Sequence, residues 1–511
     1  MKHLAFLILV ALFRASFAAG QEIDWARVHD VTMRGIHHLY NMEVDRARAA
    51  FDSVTAMAPN DPRGPFFNAI IHVFIYNLNR SESEYDEFFK YSDKVIEVCE
   101  RLVDQNEKDA VAKFYLGGIY GYRGLAYQAS GSMLSAVKDG LKGFSNLEEA
   151  VTLKPDLYDA HMGFGLFRYL LAKVPRTYRW ILSLIGFGGD LEGGLSSLRL
   201  AAEKGVYART EARLYLAQFL LNEHRDEEAL TYLRDLLREY PDNTLFAVLY
   251  ASWQMRLNNY DEAFLWAKKA EEINGRNKIK YGEEFIYSTL GGIYYVRNEF
   301  LRARDSYATY LEKMHMREYI TNWIYYRIAV SYEMTGSHAR AVEVCRMMKD
   351  PGDGERAMEV FYFRRGQRLA GSPFSESDAL MVKAGNEATL KHHEAALKLY
   401  EEAAGKAGDN VDALARGLYG MQQAYYELKR DNDVVAVSGR LTPLRPPNEL
   451  WVVPHGYLRL GQTLARQGRI ADAKKAFEAI DAFDDYDYQS NLEGRVEEEL
   501  KKLEGGAKTA Q

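Results

Sequence analysis

The chain has 511 residues, 47% hydrophobic and 27% charged, with 12 prolines, 2 cysteines and a net charge of −7. That apolar content excludes disordered, collagen-like and disulfide-scaffold classes, and a slightly acidic balance without a basic stripe argues against nucleic-acid binding. Length alone suggests two to four domains, and so few prolines favour long helices over many turns.

Residues 1–20 (MKHLAFLILVALFRASFAAG) carry Lys2 and His3, a ten-residue apolar run from Leu4 to Phe13, and small residues at Ser16, Ala18 and Gly20. This is the pattern of a secretory signal cut after Ala18 or Gly20, and ten apolar residues are too few to span a bilayer. Its removal takes away Lys2 and Arg14, so 65 − 2 = 63 basic residues face 72 acidic ones, a net charge of −9. The expectation is an exported protein, periplasmic or envelope-associated if bacterial. Cys99 and Cys345 sit far apart in helical, apolar contexts and read as buried thiols.

From residue 35 onward one pattern recurs: a small residue, an alanine twelve positions on, and a bulky residue four beyond that. Gly35, Ala47 and Phe51 set it near the start, and Gly461, Ala473 and Phe477 near the end. Between them come series opening at Ala217, Gly291 and Ala384, and two more at Ala251 and Ala329 in which the smaller Ala267 and Cys345 take the last place. A small residue on a first helix lets a second helix approach, and the bulky residue fills the gap to the next pair. Neither helix buries its apolar stripe alone, so the pairs stack.

These residues resemble the tetratricopeptide repeat, with its W-x2-L-G-x2-Y…A-x3-F…P pattern. YRIAVSYEMTGSHARAVEVC and LRLGQTLARQGRIADAKKAFEAI follow it closely. The resemblance implies an all-α helical-hairpin solenoid, or superhelix. It divides as residues 1–20, a signal peptide; 21–205, a divergent helical region with an apolar insertion at 171–190; 206–350 and 351–485, two repeat arrays; and 486–511, a polar capping helix and tail. In the first region Leu116, Gly117 and Tyr120 begin a repeat whose second helix arrives some fourteen residues late, so its helices are elongated.

The insertion carries Pro175, an apolar stretch, then Gly186, Phe187, Gly189, Asp190, Gly194 and Leu195. This resembles the G-F-x-G-D-R-x-x-G-L signature of eukaryotic tetratricopeptide proteins linked to inclusion-body clearance and lipid homeostasis, with Leu191 where the Arg belongs. The resemblance covers about residues 110–345 and implies shared architecture, not a shared role.

No H-E-x-x-H, G-x-S-x-G, Walker or C-x-x-C motif occurs, and no uninterrupted block remains for a catalytic domain. The pairs His37–His38 and His392–His393 point roughly 100° apart on a helix and suit surface or inter-helix positions. The reading is a non-enzymatic scaffold with no cofactor or metal and no nucleic acid, binding a protein or peptide in its groove. First-helix positions facing that groove are Leu214, Gln218, Ser252, Arg256, Tyr295, Trp323, Tyr326 and Glu333. The alternative is a peripheral membrane protein that uses the 174–190 hairpin, through Trp180, Ile181, Leu184, Ile185 and Phe187. Core burial of that run is favoured over membrane contact.

Overall fold

The computed structural model describes residues 23–174, 189–277, 280, 282–314, 317, 320–352 and 357–509. Residues 1–20, where a signal peptide is expected, and Trp180, Ile181, Leu184, Ile185 and Phe187 of the expected hairpin lie outside them. All regular structure among the described residues is helical, and the chain divides into two compact units.

The first unit comprises residues 1–247 and 273–281. Its helices are α1 (Trp25–Tyr40), α2 (Val44–Met57), α3 (Arg63–Asn79), α4 (Glu82–Gln105), α5 (Ala110–Ala129), α6 (Met133–Leu153), α7 (Ala160–Ala172), α8 (Leu191–Lys204), α9 (Arg209–Asn222) and α10 (Asp226–Glu239). Consecutive helices joined by short turns pack as antiparallel hairpins, each with its apolar stripe on its partner. Gly35 shows why the pattern needs a small residue: a methyl group there would lie 2.4 Å from the Phe51 ring, sixteen positions on. Ala47 and Phe51 are fully buried in that seam.

Elongation falls where the spacing predicts it. Helices α4, α5 and α6 run to 24, 20 and 21 residues. The partner of Gly117 is Leu147, thirty positions on: a methyl group at Gly117 would lie 2.6 Å from Leu147 Cγ. Along the same seam a methyl at Gly143 would sit 2.9 Å from the Gly121 amide nitrogen. The two backbones therefore touch, an approach only glycines allow. Asp109 opens α5 by accepting hydrogen bonds from the amides of Val111 and Ala112.

The described half of the glycine-rich signature is a packing device. A methyl at Gly189 would meet the Ala172 backbone at 2.1 Å, and one at Gly194 the Tyr169 amide at 2.7 Å. Asp190 caps α8 through the Gly193 amide and takes the Arg168 guanidinium at 2.6 Å. Leu195 is fully buried. Beyond α8, the buried Asp159 accepts the amides of Val206, Tyr207 and Ala208, satisfying the turn into α9.

The second unit comprises residues 248–272 and 282–511. Its helices include most of α11 (Thr244–Arg256) and α12 (Tyr260–Arg276), then α13 (Glu283–Val296), α14 (Phe300–Lys313), α15 (Asn322–Glu333), α16 (His338–Cys345) and α17 (Ala357–Gly371). There follow α18 (Glu376–Thr389), α19 (His393–Gly405), α20 (Val411–Glu427), α21 (Asp431–Leu441), α22 (Val452–Arg466), α23 (Ile470–Glu478) and α24 (Gln489–Thr509). Methyl groups at Gly291 and Gly461 would lie 2.7 and 2.3 Å from Tyr307 and Phe477, again sixteen positions on.

A second regularity is visible only in the backbone. Seven residues after each small position the chain turns with positive φ: Met42, His224, Asn258, Asn298, Gly336, Lys391 and Gly468, with φ between 58° and 76°. This left-handed residue ends the first helix and launches the second. Lys429 has φ 59° too, and seven residues before it stands not a small residue but Gln422. Gln422 is fully buried and donates to Ser438 Oγ at 2.7 Å and to the Gly456 carbonyl at 2.9 Å. Ser438 is the sixteenth residue on. The sizes are exchanged, large before small, and the seam is filled all the same.

The cysteines are free and buried, as expected; burial pushes the Cys345 thiol up to about 11 and Cys99 further. No helix among the described residues is long and apolar enough to cross a membrane.

Candidate functional site

The expected groove residues fall in both units. Leu214 and Gln218 lie four apart on α9 of the first unit, both half-buried. The other six lie in the second unit, on α11, α13 and α15.

In the second unit, contacts run from helix to helix along one face. Ser252 on α11 meets Thr289 on α13, hydroxyl to hydroxyl, at 3.0 Å. A methyl at Gly292 would lie 3.2 Å from Met255 Sδ and 3.8 Å from Arg327 Nη1, which carries the face from α11 across α13 to α15. The Arg327 guanidinium lies over two rings, Trp323 at 4.9 Å and Tyr295 at 5.2 Å. Tyr326, next along α15, packs against Tyr362 of α17 at 5.5 Å, and Arg365 lies over Tyr326 at 5.9 Å. Arg256 is exposed and stacks over Trp253 at 5.4 Å.

Charge is unevenly distributed on this face. Glu449, 4% exposed, serves Arg365 at 3.6 Å, Arg368 at 3.1 Å and Arg416 at 3.7 Å. It also accepts from Trp451 Nε1 at 2.7 Å. One carboxylate thus holds three guanidinium groups, and Arg416 reaches Asp378 as well. Arg327 forms no ion pair with any described residue. Its environment is aromatic: Tyr307 beside it is fully buried, and burial pushes the hydroxyl of Tyr295 well above its usual range and raises that of Tyr307. They stay neutral and supply no charge. A guanidinium over ring faces keeps its charge, and no carboxylate among the described residues neutralises it.

Glu333 sits at the far end of α15. Its carboxylate takes His338 Nδ1 at 2.7 Å and the Phe374 amide at 2.9 Å, so it fastens two turns of this chain. Ser252, Tyr295, Trp323 and Tyr326 join the contact chain around Arg327. Arg327 and Arg365 escaped the sequence reading. A Trp–Arg pair four apart on a helix, Trp323 and Arg327, was the available signal.

No group of three or more potential ligands that could hold a metal occurs among the described residues. His37 pairs with Asn41, His38 with Glu43, and His392 with Glu387.

Residues 159–349 match the family model described as Iml2/Tetratricopeptide repeat protein 39. The fold is a tetratricopeptide-type array. The match falls on the stretch whose glycine-rich signature resembles that family, and it spans a little over a third of the chain. No curated protein matches the chain. Among solved structures, a tetratricopeptide repeat protein from Parabacteroides merdae is 12% identical, covering 56% of this chain and 97% of that one, with a TM-score of 0.26. Yeast Tom70 is 12% identical over 87% of this chain and 91% of its own, with a TM-score of 0.32. Human IFIT1, as a dimer with PPP-AAAA, is 14% identical over 91% and 96%, with a TM-score of 0.36. The fold assignment rests on the packing described above.

Proposed function

We propose that this chain is an exported, non-enzymatic scaffold that binds a protein or peptide partner on the α11–α13–α15–α17 face of its second unit. Tetratricopeptide arrays are typically protein-binding scaffolds, although fold alone does not name a partner. The observation that carries the reading is Arg327, an ion-pair-free cation seated between Trp323 and Tyr295. Trp, Tyr and Arg are the residue types that most often anchor a partner. The partner chemistry that fits is a carboxylate, from an acidic side chain or a chain terminus, flanked by apolar groups that lie on the rings.

Export rests on residues 1–20, and N-terminal sequencing of the purified native protein tests it: a first residue at Ala19 or Gln21 supports it, and an intact Met1 refutes it. Site assignment is tested by affinity purification from native cells with wild-type and Arg327→Glu chains. Loss of the same cross-linkable partner in the variant, with an unchanged melting temperature, supports this face. Equal recovery from both removes it.

A further inference from the structure

The first unit holds an open cavity of about 380 Å³ between α5, α6 and α7, closed at its inner end by α9. Its volume is in the range of small-molecule sites. Leu125, Leu141, Leu166, Phe144 and Phe167 form the walls. Glycines hold the space open: a methyl at Gly121 or Gly140 would meet only Phe167, at 3.5 and 3.6 Å, so larger side chains there would project into the cavity without striking backbone. Met133, Val137 and Leu170 line the mouth and are exposed. Apolar side chains left exposed around an apolar hollow mark a binding site more often than a bare surface.

Apart from the exposed Gln128, the polar side chains lining this cavity are gathered at one end. Glu211 and Tyr215 of α9 and Tyr122 of α5 line it there. The Tyr122 hydroxyl donates to Glu211 Oε2 at 2.5 Å, while Glu211 Oε1 accepts no hydrogen bond from a described residue. Burial lifts the Glu211 carboxyl to about 7, so it is shared between its neutral and charged forms near neutral pH. A ligand group facing it must suit both forms. A hydroxyl does, since it donates to a carboxylate and accepts from a carboxylic acid. An anionic head is repelled by the charged form, and an ammonium loses its partner in the neutral one.

We propose that this cavity binds one single-chain, uncharged amphiphile, its aliphatic body between the Leu and Phe walls and its hydroxyl at Glu211 Oε1. The ligand enters from solution past Met133, Val137 and Leu170. This site is independent of the Arg327 face, which belongs to the other unit.

The test uses the full-length chain and radiolabelled 1-dodecanol, with dodecanoate and dodecyltrimethylammonium as charge controls. Saturable uptake near one molecule per chain is expected, with dodecanoate at least ten-fold weaker at pH 8, where Glu211 is mostly charged, and dodecyltrimethylammonium at least ten-fold weaker at pH 5, where it is neutral. A diazirine-bearing dodecanol is expected to cross-link to Leu125, Leu141 or Leu166. Gly140→Leu, which fills the hollow and raises helix propensity, is expected to lower uptake at least ten-fold. Absence of uptake by the wild-type chain overturns the proposal, as does uptake well above one per chain or cross-linking confined to other surfaces. If Gly140→Leu does not fold, the cross-link map on the wild-type chain decides alone.

Discussion

The guanidinium carbon of Arg327 lies 4.9 Å from the centre of the Trp323 ring, one helical turn away on α15. The pair presents a fixed cation on a flat apolar platform. Arg327→Ala is expected to weaken partner binding at least ten-fold, about 1.4 kcal/mol. Trp323→Ala is expected to weaken it by a similar amount. Binding titrations with the cross-linked partner check this, alongside thermal melts that should shift little, since Arg327 holds no carboxylate of this chain.

Glu211 gives the first unit a distinctive acid–base behaviour. Its carboxyl titrates near 7 when folded against an ordinary 4.5. The unfolded chain therefore releases this proton first as pH rises. Stability from this group is undiminished below about pH 4.5, falls between 4.5 and 7, and stays low above. The loss amounts to about 3 kcal/mol. Glu211→Gln is expected to abolish it, so the variant should gain on the wild type in melts at pH 8 compared with pH 4.5. An offset independent of pH contradicts the prediction.

Gly143 faces two backbone groups, the Gly121 amide at 2.9 Å and the Gly117 carbonyl at 3.0 Å from an added methyl. Neither can move without shifting a helix. Gly143→Ala is thus expected to destabilise the first unit by about 1–3 kcal/mol, despite the better helix propensity of alanine. Urea denaturation, with Gly140→Ala as a tolerated control, measures the difference.

Gln422 and Ser438 form the inverted seam, and a double-mutant cycle exposes their dependence. Gln422→Gly leaves a hollow and removes two buried hydrogen bonds, an expected loss of about 2–4 kcal/mol. Ser438→Phe alone should be comparably damaging through overcrowding against Gln422. Both together restore the glycine–aromatic arrangement of the neighbouring repeats and should recover more than half of the combined loss. Additive losses would show that the two positions do not share one space.

The repeats were legible because size alternation leaves a mark at twelve and sixteen residues: Gly35, Ala47 and Phe51, or Gly461, Ala473 and Phe477. The late second helix was legible for the same reason, as the thirty-residue step from Gly117 to Leu147. The repeat at Gln422 was hidden because its sizes are exchanged, so volume is conserved while the pattern is not. The left-handed turn residue was hidden because backbone geometry, not side-chain type, defines it; Met42, His224, Asn298 and Lys391 share no chemistry. At the candidate face, stepping by four and seven picked out Tyr295, Trp323 and Tyr326. It missed Arg327, whose role depends on rings from two helices. Glu333 obeys the same stepping, but its carboxylate is taken by His338 and Phe374 of this chain.

The exchanged pair has an evolutionary reading. Arrays of this kind grow by copying a hairpin and fitting it beside its parent, which requires that any repeat's first helix accept any neighbour's second. A first helix carrying Gln422 cannot accept a second helix carrying Tyr307 or Phe477, and one carrying Gly291 or Gly461 would leave Ser438 facing a hole. The α20–α21 hairpin is therefore a lock in the sequence of repeats. Duplication or recombination that splits it is penalised, while moving the hairpin whole keeps this seam and gives up the Gln422 bond to the Gly456 carbonyl of α22.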